Sequence, residues 1–130
     1  GRFYASKGYI QKRGRPRNHQ DFKTHDFVSF GNTDQMLEYL AMLGLELTAD
    51  QFKVGSSNSL VAWEMVKQGL GIAPMSVDVA RASPDLEVLL PDSDPVMFPT
   101  WLVTHRELHT SRRIRLVYDL LAEKLPKLMA

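Results

Sequence analysis

Val54-Gly55-Ser56-Ser57-Asn58-Ser59-Leu60-Val61-Ala62-Trp63-Glu64-Met65-Val66-Lys67-Gln68-Gly69-Leu70-Gly71-Ile72-Ala73-Pro74-Met75 reads as a strand end, a polar turn, a helix of three turns, a Gly-x-Gly stop and a short apolar strand. Ala62, Met65, Val66 and Gly69 fall at i, i+3, i+4 and i+7, so this face of the helix packs inward, while Glu64, Lys67 and Gln68 face away. Gly69 lets the helix stop abruptly. The turn Ser56–Ser59 places hydroxyls and an amide where the first N–H groups of a helix have no partner within it. Two roles stand open there: capping the helix, or holding an anionic small molecule with the same donors.

Strand and helix signals alternate on both sides of this unit. Arg2–Ser6 reads as a strand feeding a helix cap at Ser6, followed by a short helix ended by Gly14 and Pro16. Asp26–Phe30 reads as a strand, and Asn32 with Gln35 as the cap of a helix whose stripe is Met36, Leu37, Leu40 and Leu43. Thr48–Gln51 is a turn and Phe52–Val54 a strand. Ile72-Ala73 and Leu86–Leu90 are further strands, with a helix capped by Ser76 between them. Pro91-Asp92-Ser93-Asp94-Pro95 is the clearest linker. Beyond it come a β-prone run, Thr100–Val103, and a helix capped at Thr110 or Ser111 and ended by Pro126. That helix is apolar over much of its girth, which implies packing on two sides. The alternation predicts an α/β domain with a mainly parallel sheet.

With 130 residues, 44% of them hydrophobic, the chain is long and apolar enough to bury a core. Its net charge of +1 gives no electrostatic reason to expect nucleic acid as its main partner. It contains no cysteine, which excludes disulfides, thiolate chemistry and Cys-based zinc sites and suits a cytoplasmic protein. No apolar run is long enough to cross a bilayer. The first residues carry neither Met nor a signal-peptide pattern and read as a piece of a longer chain.

Catalytic constellations are weak. His105 and His109 lack the glutamate placement of a zinc protease motif, and His19, Asp21, His25 and Asp26 lack ligand spacing, so no metal site or cofactor is expected. No serine has a nucleophile setting. Gly69-Leu70-Gly71 ends a helix and so is no dinucleotide fingerprint. Lys12, Arg13, Arg15 and Arg17 have no interleaved aromatics and read as a solvated loop, and Trp63 and Trp101 as packing residues.

The pattern Asn-Ser-x5-Met-Val-x-x-Gly-Leu-Gly-Ile-Ala-x-Met over Asn58–Met75 resembles the effector-binding region of LysR-type transcriptional regulators. Phe3-Tyr4-Ala5-Ser6, Tyr9-Ile10 and Arg15-Pro16, with Asp21-Phe22 and His25, resemble the start of that family's second lobe. Pro99, Trp101-Leu102-Val103, His105 and Leu108 resemble its return strand, and Arg113-Ile114-Arg115 its last helix. The resemblance implies a type 2 periplasmic-binding-protein-like fold of two α/β lobes joined by crossing strands. Residues 1–95 would form the second lobe and its crossing strand, and 96–130 the return strand and C-terminal helix of the first.

It further implies a non-enzymatic sensor that binds a small effector, expected to be a carboxylate, between the lobes. The intact protein would be a dimer or tetramer, binding DNA only through an N-terminal winged helix-turn-helix. Carried over by position, ligand contacts fall on Ser56, Ser57 and Asn58, on Phe30 and Gly31, and on Ser6 at the end of the crossing strand. A fragment of a periplasmic solute-binding protein is the alternative, distinguished by what precedes Gly1.

Overall fold

Phe3, Tyr4 and Ala5 are buried in succession because their strand, β1 (Arg2–Ser6), has a core on each face. The structure, a computed structural model, describes residues 1–129, which fall into a unit Gly1–Met97 and a second unit from Phe98 onward.

In the first unit β1 lies between β4 (Ala73–Met75) and β5 (Leu86–Leu89) and runs antiparallel to both, with Tyr4 opposite Ala73 and Val88. β2 (Val28–Phe30) and β3 (Val54–Ser56) pair in parallel, Phe30 opposite Ser56. A parallel bridge between Phe27 and Ile72 joins the two sheets: the Ile72 N–H donates to the Asp26 carbonyl and the Val28 N–H to the Ile72 carbonyl, each at 2.9 Å. The next rung would need an N–H at Pro74, which has none, so the ladder between β2 and β4 stops there. The strand order is thus β3-β2-β4-β1-β5. Parallel pairing, expected to predominate, holds for β2–β3 and the bridge, whereas both pairings of β1 are antiparallel. β1 runs the other way because it starts at the edge where β2, β3, β4 and β5 end.

One face is covered by α1 (Lys7–Arg13), a 3-10 turn at His19–Thr24 and α2 (Thr33–Met42), which bury Tyr9, Phe22, Met36 and Leu40 with Phe3 and Phe27. The Phe22 ring meets Phe3 and Phe27 edge-on at 5.1 and 5.5 Å. On the other face, α3 (Ser59–Lys67) and α4 (Val77–Arg81) bury Ala62, Trp63, Val66 and Ala80 against Tyr4, Val28 and Ala73. Gly69 has φ +82 after α3, where an L side chain would be strained. β3 begins two residues later than the alternation at Phe52–Val54 suggests, and Leu43, assigned to the α2 stripe, is exposed.

Val96 is buried in the first core and exchanges backbone hydrogen bonds with Gly1. In the second unit, a 3-10 turn at Arg106–Thr110 packs on α5 (Arg112–Leu128), with the His109 and Tyr118 rings edge to face at 5.9 Å. The β-prone run Thr100–Val103, expected within the return strand, forms no strand. A β-prone run becomes a strand only when an edge is available to complete its hydrogen bonds. Trp101, assigned to packing, is 81% exposed. Helix α5 continues through Pro126 to Leu128: the proline forgoes the bond to the Ala122 carbonyl, and the Met129 N–H still closes the last turn onto Leu125. Among the described residues no helix is long and apolar enough to cross a membrane.

Candidate ligand-binding site

Ser56 and Phe30 end adjacent parallel strands, yet α3 leaves Ser56 for one face of the sheet and α2 leaves Phe30 for the other. Adjacent strands whose helices depart to opposite faces leave a crevice beyond their carboxyl ends, the usual ligand position in open α/β sheets. Gly31, at φ +77, makes the turn out of β2, and its N–H donates to the Ser56 carbonyl at 2.9 Å. Phe30, Gly31, Ser56, Ser57 and Asn58 therefore lie together on one shelf.

Within the shelf, Ser56 Oγ accepts from the Asn58 N–H at 3.1 Å. Asn58 Oδ1 accepts from the Leu60 and Val61 N–H groups at 3.0 and 3.3 Å, capping α3. With its oxygen occupied, the Asn58 amide offers only its NH2 outward. The exposed Ser57 hydroxyl makes no hydrogen bond among the described residues. Asn32 Oδ1 caps α2 in the same way, accepting from Asp34 and Gln35 at 2.9 and 3.1 Å.

The two helix starts differ in charge. Asp34 lies in the first turn of α2 and offsets the positive end of that helix, whereas the first turn of α3 contains no acid. An anion is therefore better placed at α3. Ser29 supports the turn from below: it is buried, and its Oγ lies 3.0 Å from Thr33 Oγ1 and 3.4 Å from the Gly31 carbonyl. The sequence marks Asn32 only as a cap and Ser29 only as a polar residue in an apolar strand, so their place at the shelf was not visible there.

Ser6 is elsewhere. It sits at the opposite edge of the sheet, buried, with Oγ accepting from the Tyr9 N–H at 3.0 Å and lying 3.0 Å from where a Cβ on Gly69 would be. Gly69 follows the far end of α3, so Ser6 is on the order of 15 Å from Asn58 at 1.5 Å rise per residue. Strand β1 runs away from the shelf, and a residue at its end cannot share the site. Two depressions of about 430 Å³ also lie off the shelf, one beside Arg17 and Asp92, the other beside Ser6, Lys67 and Asp85.

Two members of the basic cluster have structural roles. Arg13 pairs with Asp26 at 2.7 Å, and Arg15 with Glu87, so half of the basic cluster is engaged in ion pairs. Among the described residues no three His, Cys, Asp or Glu side chains converge as a metal group.

A profile of the LysR substrate binding domain matches residues 2–126. The chain is 27% identical over 134 residues to the "Probable HTH-type transcriptional regulator LtrA" of Klebsiella pneumoniae, an alignment spanning 97% of this chain and 43% of that protein. It thus covers less than half of that relative's length. Among solved structures, the regulatory domain of CrgA, a LysR-type transcriptional regulator from Neisseria meningitidis, superposes with a TM-score of 0.70 at 20% identity. That superposition covers 95% of this chain and 63% of the other, and shows the fold.

Proposed function

The chain belongs to the LysR substrate-binding domain family, and from that premise we propose that it senses a small carboxylate for a DNA-binding transcriptional regulator. The observation that carries the ligand class is the start of α3, where no acidic residue offsets the helix dipole and the Asn58 amide and Ser57 hydroxyl have hydrogen atoms to donate. A carboxylate, with acceptors only, complements that set. Phe30 and Gly31 flank it, and Ser6 has no part in it.

In the intact cytoplasmic protein, residues 1–95 act as one lobe and 96–130 contribute to the other. The effector bridges both and favours the closed form by its differential affinity. The oligomer then presents its N-terminal DNA-binding domains differently, through a coupling of about 1–3 kcal/mol. The region performs no catalysis.

The test is a thermal-shift panel of small carboxylic acids on the complete two-lobed domain, comparing wild type with a Ser57→Ala, Asn58→Asp variant. Aspartate is an equally good cap, so the helix is kept while a negative charge meets the ligand. A carboxylate that stabilises the wild type is expected to lose its shift in the variant. In the full-length regulator the same variant should lose its effector response and keep operator binding. An acid that stabilises both forms equally overturns the assignment.

A further inference from the structure

At the edge opposite the shelf, two buried polar side chains meet that the sensing role does not use. Tyr9, on α1, is 4% exposed, and His25, just before β2, is 6% exposed. Tyr9 Oη lies 2.8 Å from His25 Nδ1 and accepts from the Asp26 N–H at 3.0 Å. Among the described residues the buried phenol proton meets no acceptor other than His25 Nδ1, so satisfying it directs that proton to His25. That histidine is therefore neutral, with Nδ1 bare and the proton on Nε2. Its backbone is held as well, since Gln51 Nε2 donates to the carbonyls of Phe22 and His25 at 2.7 and 2.8 Å.

Protonating His25 turns Nδ1 from an acceptor into a donor pointed at the phenol. Tyr9 then faces two N–H donors, and its own proton has no acceptor in a buried site. We propose that His25 is an acid-operated latch: neutral, it holds Tyr9 and with it α1 (Lys7–Arg13) against the start of β2; protonated, it lets α1 open.

The charges around it act in both directions. From α1, Arg13 opposes a second positive charge. Asp21, in the 3-10 turn, and the adjacent Asp26 favour one, although Asp26 is shared with Arg13 at 2.7 Å and with Lys53, ahead of β3, at 3.1 Å. Burial first, and then Arg13, hold the His25 pKa below its ordinary 6.5. The unfolded chain then binds a proton on His25 more readily than the folded one. The contribution to stability is full above about pH 6.5 and falls as the pH drops below it.

The experiment is nitrogen-detected NMR of the histidine ring and amide hydrogen exchange on the 130-residue chain at pH 5 and pH 7, corrected for intrinsic exchange. At pH 7 His25 should show the Nε2–H tautomer. Exchange at Tyr9–Arg13 and Asp26, relative to the β1 core, should be faster at pH 5 by at least about twofold. His25→Asn, which keeps an acceptor near Nδ1 and cannot titrate, should lose that pH dependence. Tyr9→Phe should exchange fast at both values. An Nδ1–H tautomer at pH 7, unchanged relative protection of α1 at pH 5, or wild-type pH dependence in His25→Asn would each overturn the latch.

Discussion

Gly55 stands directly across from Ser29 in the β2–β3 ladder, and a Cβ there would lie 2.6 Å from Ser29 Cβ and 2.8 Å from its carbonyl oxygen. Backbone sits on one side of that clash, so no rotamer change relieves it. The absence of a side chain lets the strands approach closely enough for the Gly31 N–H to reach Ser56 and for Ser29 to meet Thr33 under the shelf. Gly55→Ala is therefore expected to destabilise the chain by roughly 2–3 kcal/mol through overpacking. Gly8 is the control: it lies inside α1, where the nearest heavy atom to an added Cβ is Ser6 Oγ at 3.9 Å. Gly8→Ala should be neutral or stabilising by up to about 1 kcal/mol. Urea unfolding of both variants decides the matter, and equal midpoints would remove the close-approach account. Single residues also mark the limit of sequence reading at this scale. Ser6 and Asn58 carry the same helix-cap signature and both cap helices. Which edge of the sheet each occupies depends on strand direction, which no local pattern encodes.

At the level of elements, α2 and α3 were legible because cap, stripe and stop are all local: Asn32 and Asn58 begin them and Gly44 and Gly69 follow their ends at positive φ. If those caps act as their geometry implies, Asn58→Ala should cost about 1 kcal/mol and Asn58→Asp almost nothing. Thermal unfolding on the wild-type background checks both, and an Asp variant as weak as the Ala variant would show that the amide does something other than cap. Strands were less legible, because a strand exists by pairing. The apolar run Phe3–Ala5 was recognisable as a strand, but its antiparallel direction is set by partners some 70 to 85 residues away in the register with β4 and β5. The run Thr100–Val103 has stronger β propensity than β3 and forms no strand, while Val54–Ser56, carrying a glycine, forms one because β2 supplies its edge.

Over the whole molecule, the two units are buried very differently. The first has a core on each face of its sheet, whereas none of the described residues from Phe98 onward is buried. Helix α5 exposes Leu116 at 64%, Leu120 at 53% and Leu128 at 69%, with Val117 and Leu121 beside them. A contiguous apolar helix face of this kind favours association in water. Its strength follows from two opposing terms. Covering a few hundred Å² of apolar surface is worth about 25 cal/mol per Å², while bringing two chains together costs at least about 4 kcal/mol. These nearly offset, so the 130-residue chain should self-associate weakly and reversibly, dissociating on dilution. Sedimentation velocity over a concentration series should show the weight-average coefficient rising with concentration. Leu116→Glu with Leu120→Glu should hold it at the monomer value without changing the unfolding midpoint of the first unit. A wild-type chain that stays monomeric at the highest concentration would show that this face needs no cover from a second copy.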